Sequence, residues 1–342
     1  MLEQGILVHV FEFVGTGHFV FVAGVNTEFR TAYKQSLVLL QQQQEEGDDT
    51  QQRPACVTTA TSIISSTSRL QSVWNDKAVN DPDEDNSEKH RIRKTILDTA
   101  VRDGNLPVFQ WLMHPEERRA RFRQYAIDGI CQDAAAHGNL DILQFAREQC
   151  GCPWDARTCN RAAYGGHLAL LQWARDNGCH WDRYTCMHAA QGGHLHILQW
   201  ARANGCPWDY QTCEWAARGG HFHILQWARA NGCPWSRKTC ISAAQGGHLH
   251  ILQWARDNGC PWGDGTCMMA ASEGHLHILR WARANGCHWD KWVCYYSARN
   301  GHLHVLRWAR EHGCPWEPLR CQEMAQRCGR HHVVQWIRDN TD

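Results

Sequence analysis

The stretch GGHLHILQWARANGCPWD, residues 192–209, recurs along the chain in close copies. The cysteine of its Gly-Cys-x-Trp element keeps a step of 27 residues from Cys152 to Cys314, and a second cysteine keeps it from Cys159 to Cys321. Looser copies are centred on Gly104, Gly138 and Gly329. A fixed period of this length is typical of units that bury their apolar faces by stacking. We therefore predict an array of about nine units over residues 91–342.

Each unit is predicted to form two short helices joined by a tight turn. The segment TCEWAAR, residues 212–218, is alanine-rich and free of Gly and Pro, and two glycines separate it from HFHILQWARAN. The apolar residues of the second segment follow the 3.6-residue helical period. Gly232 predicts a left-handed helix stop, and Pro234 prevents continuation. No segment of the array alternates long enough to indicate strands. The pattern favours an all-α solenoid of stacked helix-turn-helix repeats.

The unit resembles the ankyrin repeat. The residues that carry the resemblance are Thr212, Ala216, Ala217, Gly220, His221, Ile224, Leu225 and Gly232, which fall in the family's order. Thr-Cys replaces the family's Thr-Pro, and the stretch from Gly232 to Thr239 is about five residues shorter than the family's loop. The resemblance implies stacked helix pairs that bind proteins, and a histidine after the Gly pair that bonds to the backbone of a neighbouring turn. The shorter loop implies that the β-hairpin finger of the family is truncated or missing.

The N-terminal segment, residues 1–40, is predicted to be a small helical element. Its pattern ILVHVFEFV followed by AGVNTEFRTAY resembles an F-box, although it lacks the leading Leu-Pro. That resemblance implies docking onto a Skp-type adaptor of cullin ubiquitin ligases. The docking residues would be Leu7, Val10, Phe11 and Phe13. The alternative is a helical cap of the repeat array. Residues 41–90, which include QQQQEEGDDTQQRP, are predicted to be a partly disordered linker.

Composition restricts the compartment and the partners. The 342-residue chain has a formal net charge of zero, so we expect neither nucleic-acid nor membrane binding. Its 18 cysteines do not indicate secretion, because the N-terminus lacks a basic region and a cleavage pattern. Equivalent cysteines in stacked repeats lie about 10 Å apart, beyond the ~7 Å that a disulfide spans. We expect reduced, buried thiols in a cytoplasmic or nuclear monomer.

No chemical site stands out as singular. His194, His196, Cys206 and Cys213 include zinc-ligand types, but two helical residues two positions apart point about 200° apart. We therefore predict no metal and no cofactor. The Cys and His residues recur identically in every unit, which is expected of structural roles, so no catalytic residue and no enzyme activity are predicted. The tryptophans are interpreted as packing residues rather than a ligand platform.

Positions that vary between repeats are the candidate binding residues. They follow Trp-Asp, follow Thr-Cys, or precede the Gly pair, so they lie in or just before the first helix and would share one face. Tyr, Trp, Arg and Met are enriched there, as at protein interfaces, whereas drift would favour small and charged residues. The side chains predicted to contact a partner are Arg183, Tyr184, Met187, His188, Tyr210, Gln211, Glu214, Trp215, Arg218, Arg237, Lys238, Ile241, Lys291, Trp292, Tyr295 and Tyr296. We predict a non-catalytic interaction scaffold for a partner protein, with a substrate-recruiting ligase adaptor as the alternative.

Overall fold

The computed structural model describes residues 87–113 and 127–341, and its regular structure there is entirely helical. The described residues divide into two compact units, with the boundary between Trp154 and Asp155. In the described part of the first unit the helices are α1 Ser87–Arg102, α2 Leu106–Met113, α3 Ile127–His137 and α4 Leu140–Glu148. Residues 1–40, including the predicted docking residues Leu7, Val10, Phe11 and Phe13, lie outside the described residues.

The second unit consists of seven helix pairs in chain order. The first helices are α5 Ala156–Gly165, α7 Arg183–Gln191, α9 Tyr210–Arg218, α11 Arg237–Gln245, α13 Asp264–Ser272, α15 Lys291–Asn300 and α17 Pro318–Arg327. The second helices are α6 Leu168–Asp176, α8 Leu195–Ala203, α10 Phe222–Ala230, α12 Leu249–Asp257, α14 Leu276–Ala284, α16 Leu303–Glu311 and α18 His331–Asp339. Each first helix packs on the first helix of the next pair and on its own second helix. The predicted all-α array of stacked helix-turn-helix units is confirmed.

Most first helices begin at a side-chain cap. The Asp209 carboxylate accepts a hydrogen bond from the Gln211 backbone N–H at 2.9 Å, and Ser236 accepts one from the Lys238 N–H at 3.3 Å. Such caps satisfy an N–H that has no partner inside the helix. Gly263 has no side chain to do this at the start of α13. The repeated Trp-Asp dipeptide therefore marks where the chain re-enters a helix.

The turn inside each pair requires glycine for two reasons. Gly220 has a φ of +78°, which disfavours residues with a side chain, and a Cβ there would lie 2.6 Å from Cε1 of His248. The His248 ring occupies that space because its Nε2 donates to the Arg218 carbonyl, 3.1 Å away. The expected bond from the histidine after the Gly pair to a neighbouring turn is thus confirmed. The turn glycine and the next pair's histidine are fitted to each other.

The connection between pairs is short. Gly232 ends α10 with a φ of +81°, as predicted, and its N–H bonds to the Arg229 carbonyl at 3.1 Å. Six residues, 231–236, separate α10 from α11, and they contain a turn at residues 231–232 and no regular secondary structure after it. Within residues 87–113 and 127–341 there is no strand, so the structure has no β-hairpin finger in these connections.

The core combines small residues with one aliphatic pair per repeat. In α9 and α10 the side chains of Ala216, Ala217, Ile224, Leu225 and Ala228 have no exposed surface. Alanine on the first helix lets consecutive first helices approach closely, and the Ile-Leu pair fills the space beside them. The same types recur in each pair, which is why the sequence period and the packing period agree.

In six helix pairs, the cysteine of the first helix lies against the cysteine that follows the second helix. Cys213 in α9 and Cys233 after α10 are both fully buried, and the Cys213 thiol is hydrogen-bonded to Cys233. The Cys233 thiol in turn donates to the Asp209 carbonyl, 3.3 Å away. Sequence reasoning considered contacts between like cysteines only, whereas the structure joins one member of each ladder. The six thiol pairs are Cys159–Cys179, Cys186–Cys206, Cys213–Cys233, Cys240–Cys260, Cys267–Cys287 and Cys294–Cys314.

Candidate functional site

All sixteen candidate binding residues lie on, or directly at the start of, first helices of the second unit. Contacts between their side chains join neighbouring first helices. Arg183 on α7 lies 3.4 Å from the Asp209 carboxylate at the start of α9, and Lys238 on α11 lies 5.4 Å from the Tyr210 ring centre. The structure therefore places the variable positions of successive repeats next to one another, as a shared surface requires.

The central cluster consists of Tyr210, Glu214, Trp215, Arg218 and Lys238 on α9 and α11. The Arg218 guanidinium lies 5.0 Å from the Trp215 ring centre, a cation–π arrangement. Glu214 is partly buried between the two helices, and this burial raises the pKa of its carboxyl, while Lys238 and Arg218 act in the opposite direction. The cluster thus presents two cations and two aromatic rings around one half-buried acid.

The aromatic cluster consists of Lys291, Trp292, Tyr295 and Tyr296 on α15 with Arg320 on α17. The Trp292 and Tyr295 rings meet edge to face with centres 5.2 Å apart, and so do Tyr295 and Tyr296. The Arg320 guanidinium lies 4.8 Å from the Trp292 ring centre and 5.3 Å from that of Tyr295. These contacts fix the orientation of three large side chains that remain partly exposed. Rings held in this way lose little freedom when a partner binds.

Exposure differs among the predicted residues. Arg183, Tyr184, Arg218, Arg237 and Lys238 are exposed, and most of the remainder are half-buried. Met187 is the exception, because only 7% of its surface is accessible, so it offers a partner almost nothing. His188 is held by a 3.1 Å hydrogen bond between its Nδ1 and the Gln191 amide oxygen. Its burial lowers the pKa of its imidazole.

Three residues of the last pair were missed by the comparison of repeats. Glu317 forms a 2.6 Å ion pair with Lys291, Arg320 covers the aromatic cluster, and Leu319 is 76% exposed. The signal was present in the sequence: Glu-Pro-Leu-Arg-Cys, residues 317–321, replaces the usual Asp-x-x-Thr-Cys. Tyr164, a variable residue outside the predicted set, is 47% exposed and meets the His188 ring edge to face at 6.1 Å.

The second helices carry a different and uniform surface. In the first six pairs an arginine lies over the tryptophan that follows it, as Arg229 does at 4.2 Å from the Trp235 ring centre, and donates to a carbonyl, here that of Cys233. Trp235 meets Trp254 of the next pair edge to face at 5.8 Å. The same contacts recur along the stack, so these tryptophans connect neighbouring pairs, in agreement with the predicted packing role.

The His and Cys residues form no metal centre in the described ranges. The helical-wheel argument predicted that His194 and His196 point in opposite directions, but their ring centres lie only 6.0 Å apart. The prediction was wrong because His194 precedes α8 with φ −97° and ψ 77°, outside helical geometry. Even so, across residues 87–113 and 127–341 no three His, Cys, Asp or Glu side chains converge as metal ligands do.

The thiol pairs are poor nucleophiles as well as poor ligands. In the pair Cys186–Cys206, the hydrogen bond to Cys206 and, after it, burial raise the pKa of Cys186. In the pair Cys240–Cys260, Cys260 accepts the hydrogen bond from Cys240, and its pKa is lowered. Burial raises the pKa of Cys321 to about 11. Both members of each pair are almost inaccessible to solvent. A reactive cysteine needs an exposed thiolate, which this arrangement does not provide.

Comparison with known proteins finds similarity among solved structures. No family model and no curated protein sequence matches the chain. Among solved structures, the human ASB11 ankyrin repeat domain aligns with a TM-score of 0.37 and 17% sequence identity, over 46% of this chain and 84% of that one. Agreement at this level is too low to support an argument, so the fold rests on the helix pairs described above. Among the described helices, none combines the length and apolar character of a membrane span.

Proposed function

We propose that the protein is a non-catalytic scaffold whose first-helix face, over residues 155–341, binds a partner protein. The exposed positions of the first helices differ from pair to pair more than the rest of the repeat does, and their aromatic and cationic side chains contact one another across the junctions. A surface of this composition that is oriented in advance suits protein recognition.

The contrast between the two helix faces supports this assignment. The tryptophans and arginines of the second helices are nearly identical in every pair, and they pack against the tryptophans of the connections between pairs. The first helices instead present Tyr184, the central cluster and the aromatic cluster, each with different chemistry. On a surface that is only exposed to solvent and binds nothing, we would expect small and charged residues rather than half-exposed Trp and Tyr. The same reasoning disfavours catalysis, because the Cys and His residues repeat and the thiols are buried.

Affinity capture from cells tests the proposal. The intact chain is compared with a variant carrying Tyr210→Ala, Trp215→Ala, Tyr295→Ala and Tyr296→Ala, and we expect the variant to lose the specific partners. The matched control changes four exposed residues of second helices, His196→Ala, Gln199→Ala, His223→Ala and Gln226→Ala, and should retain them. Circular dichroism establishes that both variants fold. Identical sets of captured proteins for the intact chain and the first variant would refute the proposal.

A further inference from the structure

The second unit has an excess of positive charge, although the net charge of the whole chain is zero. The complete sequence contains 35 basic and 35 acidic residues, whereas residues 155–341 contain 20 Lys and Arg against 13 Asp and Glu. The repeats are therefore basic, although the protein is formally neutral. A local excess of this kind shapes which partner the surface attracts, because charges act within about 8 Å at physiological salt.

The excess includes unpaired, exposed cations on the first helices. Four basic side chains there form ion pairs with carboxylates: Arg157, Arg183, Lys291 and Arg320. Six exposed ones form no ion pair within the described ranges: Arg161, Arg218, Arg237, Lys238, Arg299 and Arg327. The acidic residues within these helices or at their N-terminal caps number eight, against ten basic residues: Asp155, Asp182, Asp209, Glu214, Asp264, Asp290, Glu317 and Glu323. Cations on this face thus outnumber the carboxylates that could neutralise them.

The cations adjoin the aromatic rings that the proposed function uses. Lys238 lies over Tyr210 and Arg218 over Trp215, while Arg237 is exposed beside Lys238 at the start of α11. An apolar ring beside an unpaired cation can receive an apolar side chain and a carboxylate from the same short segment. The central cluster therefore has the two features needed to bind a peptide that mixes acidic and apolar residues.

We propose that the segment bound by this face is an acidic peptide of the partner protein. Its Asp and Glu side chains pair with Arg218, Arg237 and Lys238, and its apolar side chains lie on Tyr210 and Trp215. This inference rests on the proposed function and specifies the chemistry of the partner. Nucleic acid is the less suitable polyanion, because Glu214 and the capping Asp209 lie among the cations and would repel an uninterrupted row of phosphates. A peptide can place its charges to avoid them.

Selection from a displayed library of random 12-residue peptides on the intact full chain tests this proposal. We expect the selected peptides to be enriched in Asp and Glu. For the best of them, labelled with fluorescein, anisotropy should show binding about tenfold weaker to the Arg218→Ala, Arg237→Ala, Lys238→Ala variant. The matched control, Arg280→Ala, Arg307→Ala, Arg338→Ala, removes three exposed arginines from second helices and should bind as the intact chain does. Binding should also weaken as salt rises.

A change of the opposite sign provides an independent check. Glu214→Gln removes the acid at the centre of the cluster, so the same acidic peptide should bind up to about fivefold more tightly. Weaker or unchanged binding would contradict the assigned role of the cluster. A library that yields no peptides, or peptides without an acidic excess, would overturn the inference, as would a 20-residue oligothymidine that binds as tightly and responds to the same variants.

Capture from cells distinguishes binding of an acidic segment from binding of protein in general. If capture depends on Tyr210, Trp215, Tyr295 and Tyr296 while the triple Arg and Lys variant retains every partner, the face binds protein but the acidic segment is wrong. If neither set of changes affects capture, the proposed function itself is wrong.

Discussion

The Thr185 hydroxyl donates a 2.7 Å hydrogen bond to the Asn160 side-chain oxygen, and this bond joins the buried surfaces of α5 and α7. At the next three junctions the equivalent hydroxyls, those of Thr212, Thr239 and Thr266, are equally buried but have no hydrogen-bond partner among the described residues. In α15 the position is Val293. The repeat thus tolerates an apolar side chain at this position. In α7 the hydroxyl contributes a hydrogen bond because Asn160 supplies the acceptor.

Replacing these threonines should therefore have opposite effects. We expect Thr212→Val to stabilise the protein by roughly 1 kcal/mol, because it removes an unpaired buried hydroxyl without changing the shape of the side chain. Thr185→Val should destabilise it by about 1–3 kcal/mol, because the Asn160 oxygen loses its partner. Urea unfolding followed by circular dichroism measures both, and a lower midpoint for Thr212→Val would contradict the interpretation.

Thiol modification should distinguish the single exposed cysteine of the described chain from the paired ones. Cys328 is exposed, whereas the other described cysteines are buried. In a Cys56→Ser background, iodoacetamide should label Cys328 in the native protein, and the remaining thiols should react only after unfolding. Mass spectrometry of peptides reads the sites. Rapid native labelling of Cys213 or Cys233 would show that the thiol pairs are not sealed by the stack.

The arginines of the second helices should not be replaceable by lysine. Arg229 both stacks on Trp235 and donates to the Cys233 carbonyl, which needs a planar group with several N–H donors. We expect Arg229→Lys to reduce stability by about 1 kcal/mol. Arg280→Lys is the matched control, because Arg280 is exposed and lies 5.8 Å from the Trp308 ring centre. Equal melting temperatures for the two variants would argue against the stacking role.

Stability should fall in mildly acidic solution. Burial lowers the pKa of His194, His248 and His302, and the positive charge of neighbouring histidines lowers it further. The folded protein then binds fewer protons than the unfolded chain, whose histidines titrate near 6.5. The stability contributed by the neutral rings is complete above about pH 6.5 and is lost as the pH falls from there through the folded pKa.

Melting temperatures at pH 7.5 and 5.5 measure this dependence. In the variant His194→Gln, His248→Gln, His302→Gln the amides can still donate to the carbonyls of the preceding turns but do not titrate. We expect the variant to lose less stability between the two pH values than the intact chain. An equal loss in both would assign the acid sensitivity to other groups.

The period of the sequence was sufficient to predict the backbone but not every contact. Gly232 and the histidine after the Gly pair could be predicted, because each acts within its own turn or on the adjacent one. The pairing of Cys213 with Cys233 depends on how the second helix returns to the first, which spacing alone does not give. The His194 error arose where a helical angle was applied to a residue that precedes the helix. The F-box resemblance of residues 1–40 stays a prediction.

The glycine turns with their histidines, the thiol pairs and the arginine stacks have the same chemistry at successive junctions, so neighbouring pairs are interchangeable parts. Excision of residues 210–236 would join Asp209, a helix cap, to Arg237, the first residue of the next capped helix, and would bring together surfaces of the kind already present on either side. Duplication would do the same in reverse. Evolution can therefore lengthen, shorten or reorder the recognition surface by whole helix pairs while the core packing is kept. The order of the pairs then becomes an inherited determinant of binding.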